Sequence, residues 1–98
     1  DVMKDKLNIT IRIADTAPLH LSIDREEEET IRTAEFKVNE LWRSWSGRFK
    51  NRTSHEIMVM VAFRFAQLYF TLNAQAASIE GRLRDFEEEL DKLLLKVD

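Results

Sequence analysis

The residues that could carry acid–base or metal chemistry are few and lie apart. The chain has two histidines, His20 and His55, and neither has a second histidine at the spacing of metal ligands. His20 falls on the polar side of a predicted strand and His55 in the first turn of a predicted helix, so both are expected at the surface. The acidic run Glu26–Glu29 lacks the alternating ligands and the turn glycine of a calcium loop. We therefore predict no metal site.

Candidate nucleophiles also lack the neighbours that would activate them. Ser44, Ser46 and Ser54 do not lie in a nucleophile-elbow sequence, and a chain with two glycines has no glycine-rich phosphate loop. Because the chain has no cysteine, it can form neither a disulfide nor a thiolate metal site. The sequence therefore predicts no catalytic residue, no cofactor and no enzymatic activity.

One cluster of cations and aromatic rings could bind a partner. We call residues 43–53 the basic segment; with the adjoining Trp42 it interleaves four cations and three rings: Arg43, Arg48, Lys50, Arg52, Trp42, Trp45 and Phe49. Such a mixture can bind single-stranded nucleic acid through phosphates and stacked bases. Alternatively, the rings anchor the segment while the cations face water, or the cations meet an acidic protein surface. With 15 basic and 18 acidic residues the net charge is −3, which counts against nucleic acid.

Alternating apolar residues predict two strands ahead of this segment. The apolar positions are Leu7, Ile9, Ile11 and Ile13 in the first strand and Leu19, Leu21 and Ile23 in the second. This period of two is typical of a strand with one buried face. Residues 14–18 between them are short and polar enough to turn an antiparallel hairpin.

Two helices are expected after the hairpin. Asp24 with Glu27, and later Thr53 with Glu56, have the spacing of capping boxes that begin helices. An apolar face on the first helix is expected to cover the hairpin: Ile31, Ala34, Val38, Leu41 and Trp45. We place the break between the helices around Ser46 and Gly47.

The second helix carries an uninterrupted heptad repeat. Apolar residues follow spacings of four and three, starting at Met58 and Ala62. The later positions, which we call the seam, are Phe65, Tyr69, Leu72, Ala76, Ile79, Leu83, Phe86, Leu90, Leu93 and Val97. A strict seven-residue repeat of this length predicts a left-handed coiled coil with another helix. The alternative is an amphipathic helix packed on its own domain.

These patterns predict an α+β fold, with a β-hairpin plus helix head followed by a long coiled-coil helix. We assign residues 1–6 to an N-terminal tail or cloning remnant, 7–52 to the head with its basic segment, and 53–98 to the long helix. The first half of that helix is expected to pack in the head, and the second to form the coiled coil. No unbroken apolar run approaches the roughly 20 residues of a membrane span, and no signal peptide is apparent, so a cytoplasmic location is expected.

In this layout the chain resembles the ZapA family of bacterial cell-division proteins, which associate with the tubulin-like FtsZ. The resemblance rests on ITIRI at residues 9–13, LHL at 19–21, the acidic run at 26–29 leading to Thr33 and Ala34, VNEL at 38–41, and IMVMVAF at 57–63. It implies dimers that assemble into tetramers and cross-link FtsZ protofilaments at the mid-cell division site.

The resemblance also implies which residues contact the filament. His20, Arg48 and Lys50 fall where the family carries basic residues that face FtsZ, with Arg52 beside them, and Glu56 lies near an acidic family position. One departure concerns the turn between the strands, where the family's Gly-Arg is replaced by the longer residues 14–18. Because no arginine lies there, a contact made through that turn is expected to move to the basic segment. A generic coiled-coil scaffold and a nucleic-acid-binding dimer stay open as alternatives.

Overall fold

The computed structural model describes residues 5–95. Two strands, β1 (Lys6–Ile11) and β2 (Leu19–Asp24), are followed by a 3-10 turn, Arg25–Glu27, and by two α-helices, α1 (Glu28–Arg48) and α2 (Ser54–Leu95). This order confirms the predicted α+β class with a long C-terminal helix. One compact unit runs to Ala62 and a second begins at Phe63. Val97, the last predicted seam position, lies outside the described residues.

The two strands form an antiparallel sheet whose register places the apolar residues on one face. Leu7 lies opposite Ile23, Ile9 opposite Leu21, and Ile11 opposite Leu19. The ladder ends at the Ile11–Leu19 pair, two residues before the predicted end of the first strand at Ile13. The Ile13 carbonyl, which would bond β2 next, instead accepts from the Thr16 N–H at 3.0 Å within the turn.

Where β1 ends, side chains of α1 form hydrogen bonds with the backbone. The Arg12 N–H donates to Glu35 Oε2 at 2.8 Å, and Asn39 Nδ2 donates to the Arg12 carbonyl at 2.8 Å. Asn39 Oδ1 also accepts from the N–H of Ala14 at 2.6 Å. These bonds hold the chain leaving β1 against the helix, through backbone groups that point away from β2.

The core of the first unit joins the hairpin to the start of α2. Its buried apolar residues are Ile9, Ile23, Ile57 and Val61, and the last two are each only 1% exposed. Ile57 and Val61 are four residues apart, so they share one face of α2. They precede Met58 and Ala62 by one position each, so this intramolecular face differs from the heptad stripe.

The first helix differs from its prediction in three respects. The Asp24 N–H donates to Glu27 Oε1 at 3.0 Å as expected at a helix start, but the first turn is 3-10. Ala34 is exposed, whereas half-buried polar residues share the inward face. The helix also continues through Ser46 and Gly47 to Arg48, so the predicted break was wrong. A single exposed glycine costs about 1 kcal/mol, too little to end a helix held by half-buried Trp42 and Trp45.

The second helix begins with the predicted capping box. The Glu56 N–H donates to Thr53 Oγ1 at 3.0 Å, and the Thr53 N–H donates to Glu56 Oε1 at 2.9 Å. Ser54 Oγ, in the first turn, donates to Asp15 Oδ2 at 2.7 Å and ties the hairpin loop to the helix start.

Candidate functional site

The basic segment lies at the end of α1 and in the short connection to α2. Arg43 and Arg48 belong to the helix, whereas Lys50 and Arg52 lie in the connection. All four side chains are exposed. The connection folds back through an Arg52 N–H that donates to the Phe49 carbonyl at 3.0 Å. This geometry presents four positive charges to solvent on a short, hydrogen-bonded stretch of chain.

The aromatic rings of the segment are engaged within the protein. Trp45 and Phe49 meet edge to face, with their centroids 6.4 Å apart, and both are half-buried. The Arg48 guanidinium lies 5.2 Å from the Phe49 centroid, on its face. Rings used in this way anchor the segment and do not form an open platform for base stacking. The arrangement supports the interpretation in which rings anchor and cations face outward.

Glu56 has a local structural role in addition to its predicted partner contact. Besides completing the capping box of α2, its Oε2 lies 3.8 Å from Arg52 Nη1. The two side chains border a depression of about 390 Å³ that Val59 and Met60 complete. Arg52 and Glu56 are therefore the two predicted site residues that the structure brings into contact.

His20 lies on a different surface, the outer polar face of the hairpin. Its Nδ1 is 3.0 Å from Thr10 Oγ1, across the strand pair. Among residues 5–95, no hydrogen bond or ion pair joins His20 to the basic segment. A partner that contacts both His20 and Lys50 would have to span two surfaces of the first unit.

The seam lies in the second unit, and most of its large residues are exposed. Tyr69, Leu72, Ile79, Leu83, Phe86, Leu90 and Leu93 are 41–62% exposed. Phe65 is half-buried and Ala76 is exposed. Phe63 and Phe70, beside the seam, are 71% and 68% exposed. A continuous row of exposed apolar side chains is typical of a surface that another molecule covers.

The same helix corrects one expectation about composition. Within Ser54–Leu94 lies an 18-residue window that is apolar enough, by length and composition alone, to cross a membrane. Such a window accommodates one or two charged residues, so it is not an unbroken apolar run. This is weak support for a membrane span, since a helix that packs on several neighbours has the same composition.

Three polar residues of α1, Arg32, Glu35 and Asn39, form a polar stripe that bonds the backbone of β1 and the turn. None of them was predicted as a site residue. Arg32 Nη1 donates to the Thr10 carbonyl at 3.0 Å and to Glu35 Oε1 at 3.0 Å. The Arg12 N–H and, secondarily, Arg32 hold the pKa of Glu35 below its ordinary value of 4.5. With Asn39, these residues follow spacings of three and four along the helix. That periodicity was visible in the sequence, but polar residues at such spacing usually mark a solvent-facing surface.

Metal chemistry finds no support in the described residues. Among residues 5–95, no group of three or more histidine, aspartate or glutamate side chains could hold a metal ion.

Comparison with known proteins identifies the family. No curated protein and no solved structure matches the chain. A family model described as "Cell division protein ZapA" matches residues 9–97, which is nearly the whole chain. The match covers the hairpin, both helices and the seam, and confirms the resemblance predicted from the sequence. The chain therefore belongs to the ZapA family of cell-division proteins.

Proposed function

We propose that this chain is an oligomeric cross-linker that bundles and stabilises FtsZ protofilaments at the cytoplasmic mid-cell division site. The ZapA family is one of non-enzymatic cell-division proteins that associate with FtsZ and oligomerise, and membership is the first support. The observation that carries the proposal for this chain is the exposed seam. A cross-linker needs at least two copies of its filament-binding surface, and the seam offers a way to join them.

Self-association is favoured by the chemistry of the seam. Burying one large apolar side chain contributes roughly 1.5–3 kcal/mol, and seven of those in the seam are at least two-fifths exposed. Between Ile79 and Leu93 the residues that separate seam positions are largely charged, among them Arg82, Arg84 and Glu87. In this distal part, a narrow apolar stripe between charged flanks fits a helix partner better than lipid. We propose that copies of this chain, as dimers or tetramers, bury the seam.

The filament contact is proposed to use the exposed cations of the first unit. Arg48, Lys50 and Arg52, with Glu56 and with His20 on the hairpin, form the candidate set. Individual exposed ion pairs contribute little, about 0–1 kcal/mol. Joining several such contacts in one assembly raises the effective concentration of each, so weak contacts can still bundle filaments.

Co-sedimentation of FtsZ polymers with this protein over a salt series tests the proposal. We expect bundled FtsZ in the pellet at low salt and a steep loss of bundling as salt rises, because salt screens exposed charges. Arg48→Ala and Lys50→Ala, combined, should reduce bundling at every salt concentration. Arg64→Ala, which removes an exposed cation of α2 outside the basic segment, is the matched control.

Three results would contradict the filament contact. Bundling that is undiminished at about 1 M salt would exclude a contact based on exposed charge. Filter binding that shows strong affinity for single-stranded DNA, lost on changing Arg48, Lys50 and Arg52, would favour the nucleic-acid alternative. If the intact oligomer did not pellet with FtsZ under any condition, the remaining hypothesis would be a scaffold for another protein.

A further inference from the structure

The depression at the start of α2 combines apolar side chains with a cation. Arg52, Glu56, Val59 and Met60 line it, and its volume is about 390 Å³. Val59 is 55% exposed, and Met60 is half-buried. Ligand sites in proteins have volumes of roughly 300–1,000 Å³, so the depression is large enough to receive an apolar side chain together with a neighbouring polar group.

The Arg52 side chain is held over this depression with its hydrogen-bond donors free. Its backbone N–H donates to the Phe49 carbonyl at 3.0 Å, and its Nη1 lies 3.8 Å from Glu56 Oε2, which is beyond hydrogen-bond length. Among residues 5–95 the guanidinium donates no hydrogen bond. Glu56 Oε1 is already engaged, because it accepts from the Thr53 N–H at 2.9 Å. The planar guanidinium is therefore available to bind a carboxylate from another molecule through two parallel hydrogen bonds.

The depression lies on a face of α2 that the heptad repeat does not use. Glu56 and Met60 are four residues apart, so they share this face. Met58 and Ala62, the heptad positions of the first unit, each follow one of these residues by two positions. At 3.6 residues per turn, that step places the heptad positions about 160° away around the helix. The depression therefore stays accessible when another helix covers Met58 and Ala62.

We propose that the depression binds an apolar side chain that adjoins a carboxylate on the partner filament. Val59 and Met60 contact the apolar side chain, and Arg52 binds the carboxylate. This inference rests on the proposed FtsZ contact and names the chemistry that the contact requires of the filament. Charge favours an acidic segment as the occupant, because the neighbouring cations Arg48 and Lys50 are exposed. The flexible thioether side chain of Met60 can adapt to the shape of the apolar group.

Two substitutions that conserve charge test this inference in the full chain. Val59→Ser should weaken binding to FtsZ polymers, measured by co-sedimentation, at least about fivefold at every salt concentration, because salt does not screen the lost apolar contact. Arg52→Lys should also weaken binding, because lysine keeps the charge and loses the planar fork. The matched controls are Phe36→Ser, at an apolar residue that is also 55% exposed, and Arg43→Lys, at another exposed arginine of the basic segment. Both controls should bind like the wild type.

Failure of this inference can be distinguished from failure of the proposed function. If the wild type does not bind FtsZ polymers, both are wrong. If the wild type binds, and Val59→Ser and Arg52→Lys bind equally well, only the inference is wrong and the filament contact uses charge alone. A lower molar mass of Val59→Ser in solution would also overturn the inference, because it would assign the depression to a contact between copies.

Alkylation of single cysteines provides a second test, because the natural chain has none. FtsZ polymers should slow the alkylation of Val59→Cys severalfold, as read from the mass of this chain, and should leave Phe36→Cys unchanged. Without FtsZ, both cysteines should react at similar rates in the assembled protein, since both positions are 55% exposed. Protection of both cysteines by FtsZ, protection of neither, or protection of Val59→Cys before FtsZ is added would overturn the inference.

Discussion

Asn39 illustrates how single residues of α1 shape the hairpin. Its side chain bonds the Arg12 carbonyl and the Ala14 N–H, so one amide organises the backbone on both sides of Ile13. Glu35 accepts from the Arg12 N–H, and Arg32 donates to the Thr10 carbonyl. None of these could be assigned from sequence, because polar residues on a helix surface do not reveal which backbone groups lie within reach. In contrast, Thr53 and Glu56 were predictable, since the capping box depends only on local spacing.

Ala14 carries backbone strain at the turn. Its φ is +55°, in the left-handed region that an L-residue other than glycine enters at a cost of about 1–2 kcal/mol. We predict that Ala14→Gly raises the free energy of unfolding by about 0.5–1 kcal/mol, because glycine removes most of this strain. Urea denaturation measures the change.

Ala17→Gly is the matched control within the same loop, because φ at Ala17 is not positive. There glycine only increases the freedom of the unfolded chain, so stability should fall by about 0.5–1 kcal/mol. If both substitutions changed stability in the same direction, the strain assigned to Ala14 would be excluded.

The lowered pKa of Glu35 predicts an acid-dependent stability. A carboxyl whose pKa is lower in the folded state stabilises it above the unfolded pKa, near 4.5, and loses that contribution as the pH falls through the folded pKa. Glu35→Gln should therefore lower the urea midpoint at pH 7, and the difference from wild type should shrink as the pH falls toward 3. Glu88→Gln removes the same charge at an exposed position, and it should show no such trend. A Glu35→Gln difference that stays constant down to pH 3 would contradict the assignment.

At the level of elements, periodicity predicted the hairpin, its inward face and the two helices. It did so because apolar burial sets the period of each element. The ends of β1 and α1 were predicted less well. Contacts that periodicity does not show decide both ends. The Ile13 carbonyl accepts from the Thr16 N–H in the turn, and half-buried tryptophans hold the helix past Gly47. Residues 57–63 are apolar without interruption. For that reason the sequence could not distinguish the face of α2 that packs within the chain, Ile57 and Val61, from the heptad stripe beside it.

The start of α2 combines a helix cap with a candidate partner site. Thr53→Ala and Glu56→Ala each remove one half of the capping box and should each lower the free energy of unfolding by about 1 kcal/mol. If Glu56 also contacts the filament, Glu56→Ala should reduce FtsZ bundling more than Thr53→Ala does at equal loss of stability. Equal effects on bundling would remove Glu56 from the proposed contact and leave it as a capping residue.

For the whole molecule, the seam decides whether the chain acts alone or in an assembly. Leu83→Glu places a charge in the middle of the seam and should lower the molar mass in solution and abolish FtsZ bundling, while circular dichroism shows that the chain remains folded. Ser78→Glu adds the same charge one residue before seam position Ile79, at an exposed position outside the repeat, and should change neither property. If Leu83→Glu assembled like the wild type, the distal seam would not be the contact between copies.

Molar mass in solution tests the central claim most directly, namely that sister copies bury the seam. Sedimentation equilibrium of the full chain, measured across the micromolar range without lipid or detergent, should give a dimer or a tetramer of the 11.6 kDa protomer. The mass should fall on dilution and on the Leu83→Glu substitution. A folded, stable monomer throughout that concentration range would contradict the account.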